Sequence, residues 1–275
     1  MVIRLLALSC LALLGTLSLW VWRESNPEHA HVLVSRAATA REMESLRREG
    51  LGVRQIVIDR LGLVDRCVTC HINVEDPAFA DANLPFRFHP GLDKHPPDTF
   101  GCTLCHGGDG RATTLSAAHG EIRLWNDPML RGEYIQAACG RCHQEQYVEG
   151  APLLSAGRRL FDHYGCLGCH KLYSAGGKAG PDLTAVGAKH PTDLVWGNYR
   201  GERSLAIWFF RHFKDPQLLL PKSSMTDFFM SDYNAKALTV YMLSLTEERF
   251  PPEYYPRRKA GEGRGDSGPR SRRNE

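Results

Sequence analysis

Eight of the nine cysteines fall into four copies of one pattern, Cys-X-X-Cys-His. The copies are Cys67-Val68-Thr69-Cys70-His71, Cys102-Thr103-Leu104-Cys105-His106, Cys139-Gly140-Arg141-Cys142-His143 and Cys166-Leu167-Gly168-Cys169-His170. Two thiols three positions apart on one helical turn can reach both vinyl groups of one porphyrin. The next residue then sets an imidazole nitrogen under the iron. Paired Cys-X-X-Cys knuckles also hold zinc, but zinc has no need of His directly after every second Cys. A disulfide framework or a thiol redox site explains the histidines even less. The pattern predicts four covalently bound haem c groups, attached through Cys67, Cys70, Cys102, Cys105, Cys139, Cys142, Cys166 and Cys169. His71, His106, His143 and His170 are the expected proximal ligands.

The motifs occupy only residues 67–170, too little chain for each haem to own a separate core. The porphyrins are therefore expected to pack against one another and act as core, close enough for electrons to hop between them. Covalent attachment needs reduced thiols and an apo-chain on the far side of a membrane. The uncharged run Leu5–Trp22, bounded by Arg4 and Arg23, is long enough to span a bilayer. It ends in Trp20-Val21-Trp22, rings that suit the lipid–water boundary. A cleaved signal has a shorter apolar stretch and small residues at its cut site. An uncleaved single-pass anchor in the bacterial inner membrane is expected, with the haem-bearing bulk in the periplasm. Cys10, inside the run, reads as a small apolar residue, with lipid modification as the weaker alternative. Lys plus Arg number 34 against 31 for Asp plus Glu, and residues 251–275 hold the whole excess. The balanced body argues against nucleic-acid binding.

Along the chain the fold class is mainly α with many loops. Residues 1–22 are the anchor (or signal), and 23–60 a stalk or helical arm. Within the arm a helix is expected over Thr39–Glu49, with Ala40, Met43 and Leu46 in register and Glu44 opposite Arg48. Gly50 and Gly52 end it, and Gln55–Ile58 reads equally as strand or helix. This arm is either a plain stalk or a docking helix for a membrane partner. Residues 61–150 form an irregular trihaem module, rich in turns such as His89-Pro90-Gly91 and His95-Pro96-Pro97. Residues 151–250 carry helices over Ser155–Tyr164, Leu205–Phe213 and Asn234–Thr246, the last with Ala237, Val240, Tyr241 and Leu245 on one face. Residues 251–275 form a disordered basic tail.

Residues 151–250 resemble a class I monohaem cytochrome c. The resemblance rests on Gly157 to Phe161, Gly165 to His170, Gly180-Pro181-Asp182-Leu183-Thr184, Trp208, Asp215-Pro216 and Pro221-Lys222-Ser223-Ser224-Met225. It implies that His170 is proximal and Met225 distal. The family often has Met-Pro at this loop, where this chain has Met225-Thr226; Met230 is the fallback. Residues 53–150 resemble the multihaem c-type cytochromes that accompany bacterial quinol-oxidising cytochrome b or Rieske-type complexes. That likeness rests on Val64 to His71, His89-Pro90, His95-Pro96, Phe100 to Gly108 and Ala118-His119-Gly120. It implies such a membrane complex as electron donor and a periplasmic cytochrome, terminal oxidase or reaction centre as acceptor. Tetrahaem quinol oxidases of the nitrate-reductase type share the anchor and haem number but lack a Met-ligated domain.

The first three irons each want a sixth ligand. His89, His95 and His119 are the candidates, and the sequence leaves open which serves which iron. Met129 is a reserve for the third haem, and His29 and His31 are weaker candidates. His163, His190 and His212 are not expected to ligate. A thioether favours ferrous iron more than a second imidazole does, so the fourth haem is expected to have the highest potential. The expected function is electron transfer without substrate chemistry. The alternatives are a multihaem reductase or oxidase with an open iron, or a haem-bearing structural subunit of a reaction centre or filament.

Overall fold

The structure, a computed structural model, describes residues 2–122 and 128–256; beyond Pro256 the expected basic tail lies outside the described residues. The first helix, α1 (Val2–Ser25), carries the apolar run and buries none of its residues. It is long and apolar enough to cross a membrane, and its place near the N-terminus also suits a signal sequence. The chain then divides into two units, Met1–Met129 and Leu130–Glu275.

In the first unit, α2 (Glu28–Arg36) and α3 (Ala40–Glu49) follow the anchor. A capping box starts α3: Thr39 Oγ1 accepts the Glu42 N–H, and the Glu42 carboxylate accepts the Thr39 and Ala38 N–H groups at 2.9 and 2.8 Å. Leu33 of α2 and Leu46 of α3 are buried in one cluster with Ile72, Phe79, Ala82 and Phe86. The arm is thus packed onto the motif-bearing chain rather than standing free as a stalk. The ambiguous stretch is a strand, β1 (Ile56–Ile58), antiparallel to β2 (Leu63–Asp65) with Ile56 opposite Asp65. A 3-10 turn at Asp59–Leu61 and left-handed Gly62 join them. Only short helices follow: α4 (Pro97–Phe100), α5 (Thr103–His106) and α6 (Leu115–Ala118).

The second unit contains α7 (Gln136–Cys142), α8 (Pro152–His163), the paired strands β3 (Lys171–Leu172) and β4 (Ala175–Gly176), α9 (Leu205–Lys214), α10 (Pro216–Leu219) and α11 (Asp232–Ser244). The expected C-terminal helices are present with boundaries shifted by a few residues. The last, α11, is apolar around most of its circumference, which makes it the core helix; Ala235, Ala237, Leu238 and Val240 are fully buried. It crosses α8 at Gly157, where a Cβ would strike the Ala237 carbonyl and the Tyr241 side chain. It also packs on α7, with Gly140 against Ser244. The third motif therefore belongs to the second unit, whereas the sequence grouped it with the first two in residues 61–150.

Candidate functional site

All four motifs build the same turn. The N–H of His71, His106, His143 and His170 donates to the carbonyl of Cys67, Cys102, Cys139 and Cys166 at 2.9, 3.0, 2.8 and 2.9 Å respectively. This i to i+4 bond places both thiols and the imidazole of each motif on one short turn, as attachment to a single porphyrin requires. Among the described residues no cysteine is joined in a disulfide, and no set of three or more His, Cys, Asp and Glu converges as a metal cage.

In the first unit, the first and second turns abut at their leading cysteines. Asp65, fully buried at the end of β2, accepts the Cys102 and Thr103 N–H groups at 2.6 and 3.1 Å and the Cys67 thiol at 3.6 Å. The Cys67 thiol is pushed up, first by its hydrogen bond with Cys102 and then by burial. Gly101, at φ 67°, leaves room for this carboxylate, since a Cβ there would hit Asp65 Oδ2. The imidazoles pair across the site. His71 and His119 have ring centroids 6.4 Å apart, and His106 and His89 5.9 Å. A metal–nitrogen bond of about 2.0 Å on each side, plus the two ring radii, gives a separation of about 6 Å for imidazoles on opposite faces of one iron. His71 is pushed down to about 4, mainly by burial and then by His119, His106 and His89. Burial and the nearby His89 also lower His106. A neutral imidazole is the form that binds iron.

The other sequence candidates in this unit lie elsewhere. His95 is exposed and sits edge-on to Phe100 at 5.1 Å. His29 is buried, its Nε2 2.9 Å from the Leu51 carbonyl. His31 is exposed, and Met129 is half-buried at the end of the unit.

In the second unit, Gly180 lies flat against the His170 ring, where a Cβ would collide with it, and His170 Nδ1 donates to the Pro181 carbonyl at 3.0 Å. Met225 packs against the main core. Its loop is tethered by Gln217, whose Nε2 donates to the Ser223 and Met225 carbonyls at 3.2 and 3.1 Å. Met230, the fallback thioether, is packed within the core and 3% exposed. His212, not expected near a haem, stacks on Trp208 at 4.7 Å and its buried Nδ1 has no hydrogen-bond partner. Burial, and then nearby His170, push it down to about 4. At the third motif, His143 Nδ1 lies 2.7 Å from Glu145 Oε1.

The residues fit a porphyrin by several tests. His89, His143 and His170 each engage Nδ1 with an oxygen, which fixes the tautomer and makes Nε2 the atom that would bind a metal. Arg54, close enough to Cys70 for its charge to act on the thiol, has buried Nε and Nη2 atoms without partners. Unused donors on a cation beside an attachment turn suit a propionate carboxylate. Arg54 lines a cavity of about 430 Å³ together with Arg48, His71 and Asn73. Neither Asp65 nor Arg54 was marked by spacing in the sequence, because both act through contacts made only after folding.

The family model described as Cytochrome c matches residues 154–246. No curated protein and no solved structure matches the chain. The matched stretch covers His170, Met225 and the helices α8, α9 and α11. Residues 154–246 are thus a cytochrome c domain, and this supports a c-type cytochrome that binds haem c covalently and serves in electron transfer.

Proposed function

We propose that the chain is a membrane-anchored, periplasmic tetrahaem c-type cytochrome that passes electrons from a quinol-oxidising cytochrome b or Rieske-type complex to a downstream acceptor. The acceptor class is a periplasmic cytochrome, a terminal oxidase or a reaction centre. The observation that carries this reading is the same turn built four times, each with two thiols and an imidazole. When bound, haem supplies a one-electron ferric–ferrous couple.

The chain's own residues set how that couple is used. His119 faces His71, and His89 faces His106, so with haem bound each would hold the iron with its partner and leave no position open to substrates. No sixth ligand is assigned to the third iron. Met225 caps the fourth iron and, as a thioether, gives it the highest potential. Electrons thus run downhill from imidazole-ligated sites to the Met225 site. The apolar α1 holds the chain in the inner membrane with the haem-bearing units on the periplasmic side.

Mass spectrometry of the purified protein tests the haem number. The expected mass exceeds the polypeptide by four haem masses, and fewer than four overturns the reading. In a redox titration, Met225→His lowers the most oxidising centre; a most oxidising centre that stays in place removes Met225 from the iron.

A further inference from the structure

The third and fourth attachment sites differ in what the proximal imidazole meets behind the iron. His170 Nδ1 donates to a neutral backbone carbonyl, that of Pro181, at 3.0 Å. His143 Nδ1 instead meets a carboxylate, Glu145 Oε1, at 2.7 Å. The contact is built rather than incidental. Arg158 of α8, 8% exposed, donates to the His143 carbonyl at 2.6 Å and also to the Glu145 carbonyl. Gln144 Nε2 donates to the Gly140 carbonyl at 3.1 Å. The turn after α7 is thereby pinned at both ends, and the Glu145 side chain folds back onto the ring.

An anion accepting the Nδ1 proton pulls electron density toward Nε2 and makes the imidazole a stronger donor to the metal. That favours ferric iron and lowers the potential. A neutral carbonyl does this less. We propose that Glu145 sets the potential of the third haem, holding it well below the fourth and so directing electrons from the third site to the fourth. The proposal rests on the tetrahaem reading above. With haem bound, the electron passed between the sites would leave ferrous iron held by His143 and reduce ferric iron held by His170. No bond forms or breaks, and His143 keeps its Nδ1 proton. Glu145 is a positioning residue: it acts on the iron only through His143.

The test is a redox titration of full-length holoprotein, followed by absorption and EPR, comparing wild type with Glu145→Gln and Glu145→Asp. The third haem is the component left unassigned once His119, His89 and Met225 variants have marked the others. Glu145→Gln is expected to raise its reduced-to-oxidised ratio at the wild-type midpoint about three- to tenfold, tenfold being 59 mV for one electron. Glu145→Asp, which keeps the charge, shifts it less. Four haems with an unmoved third component overturn the role of Glu145 and leave the tetrahaem reading standing. A uniform shift of all four components also overturns it, since that marks general disturbance. A mass with fewer than four haems overturns the underlying reading instead.

Discussion

At the scale of single residues, the pairing of imidazoles would decide which irons of the proposed tetrahaem protein are closed. His119→Ala is expected to turn the first haem high-spin while sparing the second, and His89→Ala to do the reverse. Exposed His95→Ala changes neither. Absorption and EPR spectra of the three variants check this, and a His95 variant that opened the first or second iron would refute the pairing. The ring planes add a finer expectation. They lie at 87° for His89 and His106 but 41° for His71 and His119. The second haem should therefore give the more anisotropic low-spin ferric signal of the two. The four Cys-X-X-Cys-His turns were legible because their motif is local, and the C-terminal domain because its sequence resembles a known family. The approach of His119 to His71 was not, since the tertiary fold alone brings the two rings together. Asp65 and Arg158 escaped for the same reason: nothing near them in sequence marks a buried carboxylate that fastens two turns, or a buried guanidinium that grips a third.

At the scale of elements, the second unit is organised by the crossing of α8 and α11. Gly157 lets the two backbones approach, and a methyl group there would press on the Ala237 carbonyl. Overpacking of this kind costs about 1–3 kcal/mol. Gly157→Ala is expected to destabilise the second unit by that amount in denaturant unfolding, and an unchanged midpoint would show that the crossing tolerates the methyl. These helices were readable from apolar spacing, but α11 is buried around most of its circumference rather than on the one face that the spacing marked. The strand β1 was not. Three apolar residues carry no period, and its partner β2 lies beyond a turn. Nor was the placement of α7, whose motif looks like the two before it. Its unit is fixed by Gly140 meeting Ser244, a contact far apart in sequence.

At the scale of the whole molecule, the division after Met129 shares the motifs two and two. Limited proteolysis of the native holoprotein is therefore expected to cut near the Met129–Leu130 junction and release fragments carrying two haems each. Cleavage near residue 150 instead, giving three haems and one, would restore the boundary there. The two units differ in how much protein holds them. The second closes around a broad apolar core drawn from α8, α9 and α11, while the first has a small cluster around Leu33, Ile72 and Phe86. A unit with so little apolar burial of its own draws much of its order from whatever binds it. A chain that missed its cofactors would keep a recognisable C-terminal half and offer a loosened N-terminal half to proteases, so the thinner core doubles as a proofreading station for assembly.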